Sequence, residues 1–379
     1  MNILITGARA PIAADIAREF VLQGHQVYTT DSLKHPVGRY VPGIAGYLRL
    51  PAPRASGKIF GAELAQAIDE RSIDLVVPTS EEVFWLAKVK SMHGEHWPDA
   101  CRLLTAPLQV LELLHHKGSF AQLANTLGIG AGTFHGVATP EQRERFLDEH
   151  DPAKFVFKRM YSRFATDVWI SPSVQEVRAL VLEEKNPWLA QPRVHGPEVC
   201  LYNIAKDGQL LLHVAYRPRW RAGKGASVYF EPVHDATLVE LSRKVVQATQ
   251  FTGQISFDAI QSAAGPVAIE CNPRGTSGVH LAAQQPDQLV LALTGSLAQL
   301  SKPEPRMLAL PLLMYNPGIL LEKAGRAGWT ASQDAMLQAG VPFRAQLLAT
   351  AELLWKAARL RSSPLAVSTT DIEWNGSAR

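Results

Sequence analysis

The stretch from residue 253 to 280, GQISFDAIQSAAGPVAIECNPRGTSGVH, constrains this chain more than any other. Two alternating runs flank the turn residues Gly265 and Pro266, the pattern of a β-hairpin with one buried face. Folding the hairpin about Ala264 puts Ile255, Phe257 and Ala259 on one face, with Val267, Ile269 and Cys271 as partners. Gln254, Ser256 and Asp258 then share the other face with Ala268, Glu270 and Asn272, and Asp258 lies opposite Glu270. Like charges directly opposite destabilise a sheet. Two carboxylates and an amide oxygen make sense there around a hard cation, and Mg²⁺ favours one or two carboxylates together with nucleotide phosphates. Arg274 follows at once, placed for a charge-assisted contact to an anionic oxygen.

The 379 residues are enough for two or three domains. A formal net charge of +3 gives no argument for nucleic acid or an acidic membrane surface as partner. The three cysteines, Cys101, Cys200 and Cys271, are far apart and odd in number. That is neither a disulfide framework nor a zinc spacing, and it suits a reducing cytoplasm. The start MNILITG lacks the basic and apolar regions of a signal peptide, and no apolar run is long enough to span a bilayer.

Residues 2–6 read as a buried strand, residues 8–24 as an amphipathic helix stopped by Gly24, and HQVYTTD as a second strand ending in Asp31. This βαβ opening predicts an α/β fold that begins with a parallel, doubly wound domain. An acidic residue ending the second strand hints at a dinucleotide ribose. The turn Gly7-Ala8-Arg9-Ala10-Pro11, however, lacks the second and third glycines of that fingerprint. Further helices are expected near 61–70 and after the turn Pro78-Thr79-Ser80, where Thr79 or Ser80 caps and Glu81 and Glu82 occupy the first turn. A strand at 102–105 and its following helix close the first domain near residue 112.

A helix over 116–129 carries Lys117 at its start, and an alternating strand near 155–158 places Val156 and Lys158 opposite Phe155 and Phe157. A lysine ending an apolar strand is costly unless it meets an anion. A strand at 187–191 enters a linker, and the turn Lys206-Asp207-Gly208 joins two strands of a hairpin. Arg217, Arg219, Arg221 and Lys224 then form a basic, aromatic run that fits a ligand loop. Helices are expected over 235–250, 279–299 and 343–361, and LALPLLMYNPGILLE reads as strand then turn. His280 reads as a packed histidine, and the ending that carries Asp371, Glu373 and Trp374 reads as an ordered tail.

The string Glu270-Cys271-Asn272-Pro273-Arg274, after the Ser256-Phe257-Asp258 strand, resembles the metal-binding end of the ATP-grasp enzymes. The resemblance covers residues 112–285 well and 1–111 in outline. It implies an N-terminal Rossmann-like (pre-ATP-grasp) domain at 1–111, a two-part ATP-grasp fold with mixed sheets at 112–300, and a C-terminal extension at 301–379. By the same resemblance Asp258, Glu270 and Asn272 hold Mg²⁺ (Mn²⁺ being possible) on ATP. Lys117 and Lys158 reach its phosphates, Gln191 and the Val194 backbone meet the adenine edge, and Glu198 takes the ribose. Arg274, Lys158 and Arg217 are the candidate catalytic residues. The family's glycine-rich phosphate loop is replaced by Arg159-Met160-Tyr161-Ser162-Arg163-Phe164. Either Ser162 and Arg163 contact phosphate through side chains, or this loop has another job.

The activity so implied is activation of a carboxylate as an acyl phosphate and its joining to an amine, by a protein taking small-molecule substrates and compatible with a homodimer. Bicarbonate activation, a non-catalytic nucleotide-binding role and a Rossmann oxidoreductase are the competing expectations.

Overall fold

The computed structural model describes residues 1–92 and 97–376. The opening forms as read: β1 (Asn2–Thr6), α1 (Pro11–Leu22), β2 (Gln26–Asp31), β3 (Gly46–Arg49), α2 (Gly57–Glu70), β4 (Leu75–Val77), α3 (Glu82–Met92) and β5 (Arg102–Leu103). The five strands make one parallel sheet ordered β3-β2-β1-β4-β5. Ile3, Leu4 and Ile5 are wholly buried, as expected of a parallel strand covered on both faces. The short edge strand β3 has no counterpart in the sequence reading.

Two helices, α4 (Leu108–His115) and α5 (Lys117–Thr126), lead out of this sheet and pack on each other. The first of them spans the expected boundary near residue 112. Next come β6 (His135–Val137), α6 (Pro140–Glu149), β7 (Phe155–Arg159), β8 (Val168–Ile170), α7 (Val174–Arg178) and β9 (Trp188–Pro192). They build a small antiparallel sheet ordered β6-β9-β7-β8.

The largest sheet draws on β10 (Glu198–Lys206), β11 (Gln209–Pro218), β14 (Tyr229–Val233), β15 (Gly253–Ser262) and β16 (Gly265–Asn272). A two-stranded excursion, β12 (Arg221–Ala222) with β13 (Ala226–Ser227), projects from it, and α8 (Ala236–Ala248) covers it. The remainder is α9 (Val279–Ala282), α10 (Pro286–Thr294), β17 (Arg306–Met307), α11 (Ala309–Tyr315), α12 (Lys323–Thr330), β18 (Gln333–Asp334), α13 (Ala335–Gln338), α14 (Phe343–Leu360) and α15 (Pro364–Val367). Strands β17 and β18 extend the large sheet to the order β16-β15-β10-β11-β14-β17-β18. They pair in parallel while the other five pair antiparallel, so the sheet is mixed.

Two expectations fail for stated reasons. The helix read over 279–299 is two helices, because Pro286 has no N–H to continue the ladder and opens a new helix instead. The segment from Leu308 is not a strand. It forms α11, in which Pro311 falls in the first turn, where a missing N–H leaves no bond unmade.

The tail is ordered, as read. Trp374 is 3% exposed, stacks on Phe84 with centroids 5.9 Å apart, and meets Trp85 edge-on at 4.8 Å. Its indole N–H donates to Glu112 Oε1 at 3.1 Å. Trp374→Ala is therefore expected to lower stability by about 3 kcal/mol. Denaturant unfolding of the full chain checks this value.

Candidate functional site

The β15–β16 hairpin forms with Asp258 opposite Glu270 and Ser256 opposite Asn272, as the alternation requires. One detail differs. A bulge between Asp258 and Ala259 pairs Ala259 with Ala268 and leaves Ile269 as the extra residue. Ala268, not Val267 or Ile269, joins the apolar core with Phe257, Ala259 and Cys271, and Val267 and Ile269 are only half-buried. The bulge also re-aims a backbone carbonyl, for Lys158 Nζ donates to Ile269 O at 2.6 Å.

The hairpin face closes one side of a cleft of about 600 Å³. Its wall includes Lys158 from β7, Gln191 from β9 and Val194 beyond it, Glu198 from β10, and Asp258, Glu270, Asn272 and Arg274. Eight of the residues singled out from sequence thus face one space. Lys117 stands behind Glu270, 4% exposed, with Nζ 3.2 Å from the carboxylate and donating to Ser162 O at 3.3 Å. Arg217 does not join them. Strand alternation turns Tyr216 into the cleft and Arg217 out of it, exposed and bonded to Gln261 Oε1 at 3.2 Å. Arg221 and Lys224 of the same basic run do reach the cleft.

The charges are strongly interdependent. Burial pushes the Asp258 carboxyl up, and repulsion from Glu270 and Glu198 adds to it, bringing it to about 7. Burial also opposes ionisation of Glu270, but the ammonium groups of Lys117 and Lys158 outweigh it and hold that carboxyl below its usual range. Burial brings Lys158 down to about 8 despite the opposing pull of Glu270. Glu198 pairs with Arg221 at 2.6 Å, and Asn272 Oδ1 accepts from Arg274 at 3.2 Å. Each candidate oxygen ligand except Asp258 therefore has a cationic partner. The ligand atoms of Glu198, Cys200 and Asp258 also lie within 4.8 Å of one another. Burial holds the Cys200 thiol well above its normal range, so it offers no thiolate and the hard oxygen donors are the ones that suit Mg²⁺. Asp258, half-buried and repelled by two neighbouring carboxylates, is where an added cation relieves the most repulsion.

Two further groups line the cleft, one of which, His115, was not singled out from sequence. Glu81 and Glu82 read from sequence as helix-start acids or, sitting just past a strand's carboxyl end, as ligand-facing groups of a doubly wound sheet. In the structure it is Glu82 that serves the helix start, accepting from the backbone N–H of Thr79 and Ser80 and from Thr6 Oγ1. Thr79 does not cap, because its hydroxyl donates back to Thr6 O. Glu81 instead lies in the cleft, where burial opposes its charge but Arg163 dominates, holding its carboxyl at about 2. His115, also in the cleft, is brought down to about 4 by burial and is neutral at neutral pH. A residue bracketed by Glu112 and Lys117 on a helix end carried no distinguishing pattern.

The Arg163–Glu81 pair also gives the glycine-free loop a structural anchor. Arg163 donates to both Glu81 oxygens and to Trp374 O and Asn375 Oδ1. Its guanidinium is used in holding the loop to the first domain and the tail. Phe164 and Ala165 adopt φ of 54° and 52°, and a Cβ on Gly225 would stand 2.2 Å from the Phe164 carbonyl carbon. The loop thus closes directly onto the β12–β13 turn, and Gly225 is required by that approach.

The dinucleotide hint at Asp31 finds its answer in the same way. Its carboxylate takes Arg9 at 2.6 Å and the Leu33 N–H at 3.1 Å, so it is committed within the chain.

No protein-family model matches the sequence, and no curated protein does. Solved structures do match. N5-carboxyaminoimidazole synthetase from Staphylococcus aureus, complexed with ADP, is 15% identical with a TM-score of 0.62, covering 85% of this chain and 86% of that one. Phosphoribosylamine–glycine ligase from Thermotoga maritima is 16% identical with a TM-score of 0.62, covering 80% and 78%. An L-amino acid ligase from Bacillus licheniformis is 15% identical with a TM-score of 0.58, covering 80% and 78%. The chain has the ATP-grasp fold, preceded by a Rossmann-like domain. No helix among the described residues is long and apolar enough to cross a membrane.

The raised Asp258 fixes the sign of a pH effect. Its folded carboxyl binds a proton more tightly than the unfolded one, so this contribution to stability is present at low pH and is lost as pH rises through about 7. Asp258→Asn removes it. The variant is expected to gain thermal stability over wild type at about pH 8, with the gap closing toward about pH 5. Calorimetric scans of both ligand-free proteins across that range check the sign.

Proposed function

We propose that this chain is an ATP-dependent ligase that activates a carboxylate and joins it to an amine, releasing ADP and phosphate. The observation that carries the reading is Asp258 facing Glu270 across a bulged hairpin, with Lys117 and Lys158 beside them, in a cleft of the ATP-grasp fold. The donor set fits a magnesium nucleotide: oxygen ligands on Asp258, Glu270 and Asn272, ringed by cations suited to phosphate. Mn²⁺ suits the same oxygens. Gln191 and Val194 line the cleft beside the β9 linker and are assigned to the adenine edge, with Glu198 assigned to the ribose.

Phosphoryl transfer asks mainly for positioning and charge neutralisation. Lys158, fixed by Ile269 O, and Lys117, fixed by Glu270 and Ser162 O, hold two ammonium groups at the hairpin face. Both turn from these partners to phosphate oxygens when nucleotide binds. A divalent ion held by Asp258, Glu270 and Asn272 would supply charge neutralisation for the phosphates. A carboxylate oxygen of the acid attacks the γ-phosphorus as the bond to ADP breaks. Arg274 stabilises the transferring group, and the amine then displaces phosphate from the acyl carbon. The neutral His115 and the paired Glu81 set the electrostatic background without exchanging protons near neutral pH. Arg217, outside the cleft, has no part.

Titration calorimetry of ATP with Mg²⁺ into wild type and Glu270→Ala tests the reading, with NADPH as control. ATP is expected to bind only with the metal, and Glu270→Ala to weaken it at least about tenfold, since the substitution removes one of the carboxylate ligands assigned to the ion. Binding of NADPH in place of ATP sinks the assignment.

A further inference from the structure

A second cavity, of about 370 Å³, opens beside the nucleotide cleft. The two share eight lining residues, among them Glu81, Phe164, Arg274, Thr276 and Ser277. Away from that junction the wall is mainly apolar. Ile12, Val228, Leu308 and Met336 are buried in its inner part, and Leu353 is half-buried. Met314 of α11 and Leu354 of α14, 47% and 45% exposed, also line it and form an apolar rim.

Three fully charged side chains line this cavity among the described residues: Arg9, Glu81 and Arg274. Arg9 is held by Asp31 and Asp371. Glu81 is held by Arg163 at 2.6 Å. Arg274 is held only loosely, by Asn272 Oδ1 at 3.2 Å and Gly275 O at 3.3 Å, with Glu81 at 3.9 Å. It therefore offers a cation for an incoming anion, and it stands where the two cavities meet. The other polar lining is hydroxyl groups, the Gln346 amide and His280, whose Nδ1 is shared with Asp15 at 2.5 Å.

We infer that this cavity receives the acid substrate, and that the acid has an apolar body: an aliphatic or aromatic monocarboxylic acid. The inference rests on the ligase reading above and deepens it. Its carboxylate pairs with Arg274, which brings the attacking oxygen to the nucleotide side. The apolar body lies between α11 and α14. Cavities of about 300–1,000 Å³ bury most of a drug-sized ligand, so bicarbonate or glycine leaves this one largely unfilled. A second carboxylate or an ammonium group has no partner on the apolar wall and is rejected by its desolvation cost.

The test follows acyl phosphate formation with hydroxylamine as the trapping amine. Carboxylate oxygen bonds to the γ-phosphorus as ADP leaves. Hydroxylamine nitrogen then bonds to the acyl carbon, phosphate leaves and the nitrogen loses a proton, giving a hydroxamate. The full chain with Mg-ATP is assayed against butanoate, hexanoate, octanoate and phenylacetate, and against bicarbonate, glycine, glutamate and succinate. In the apolar series kcat/KM is expected to rise roughly threefold per methylene until the cavity is filled. Ala349→Trp, which places an indole in the cavity from α14, is expected to flatten that series while leaving the Kd for Mg-ATP unchanged.

Preference for the hydrophilic acids or bicarbonate, or a chain-length series untouched by Ala349→Trp, overturns the inference. So does failure of octanoate to bind, by calorimetry, to protein loaded with a non-hydrolysable ATP analogue and Mg²⁺. Failure of Mg-ATP itself to bind overturns the ligase reading instead, which separates the two.

Discussion

The repulsion between Asp258 and Glu270 organises this molecule. Two carboxylates directly opposite on a hairpin destabilise it, and the surroundings offset that cost unequally. Glu270 is stabilised by Lys117 at 3.2 Å and by the nearby charge of Lys158. Asp258 has no ion pair among the described residues, and burial with repulsion from Glu270 and Glu198 outweighs the pull of Arg221, so its carboxyl rises to about 7. The two lysines come from a helix start and a strand end that are separate in sequence, and both need Glu270 to make their burial tolerable. The cleft is thus held together by charges that cancel locally while leaving one position short of a cation.

The same logic explains how the cleft is covered without a glycine-rich loop. A flexible loop wraps phosphates with backbone N–H groups. Here the loop at 159–166 is fastened instead, through Arg163 to Glu81 and the tail carbonyl of Trp374. Burying Glu81 is tolerable only with that guanidinium, and Arg163 gains a site where its planar fork is matched by two carboxylate oxygens. The pair ties together the first domain, the loop at 159–166 and the C-terminal tail. Arg9 does similar work at the sheet's edge, joining Asp31 to Asp371. The C-terminal segment therefore shapes the ligand spaces as well as finishing the fold. It supplies α11, α14 and Thr369 to cavity walls while Trp374 locks its end against Phe84.

Much of this was legible in the sequence, for local reasons. Period-two alternation across a short turn fixed the facing of Asp258 and Glu270, because side-chain direction in a strand depends only on parity until a bulge intervenes. Lys158 stood out as a lysine near the end of an apolar strand, whereas Lys117 at the start of α5 was singled out only by the family resemblance. The βαβ opening followed from the periodicity of its own elements, whose apolar runs can be buried only in a sheet covered on both faces.

What only the tertiary structure decided has a common cause: it depends on residues far apart in the chain. The bulge at Ile269 swaps Ala268 into the core and turns a carbonyl to Lys158, and neither follows from a one-strand pattern. Arg217 and Arg221 look alike in a basic run, and strand parity beside Tyr216 separates them. Glu81 and Glu82 look alike at a helix start, and Arg163, 82 residues away in sequence, separates those. Asp31 resembles a ribose ligand until Arg9 and the Leu33 N–H are found on it. The apolar cavity beside Arg274 combines the first domain, the large sheet and the C-terminal helices. Sequence determined which groups needed partners. The long-range fold determined which partners they found, because burial and charge neutralisation are properties of the assembled chain.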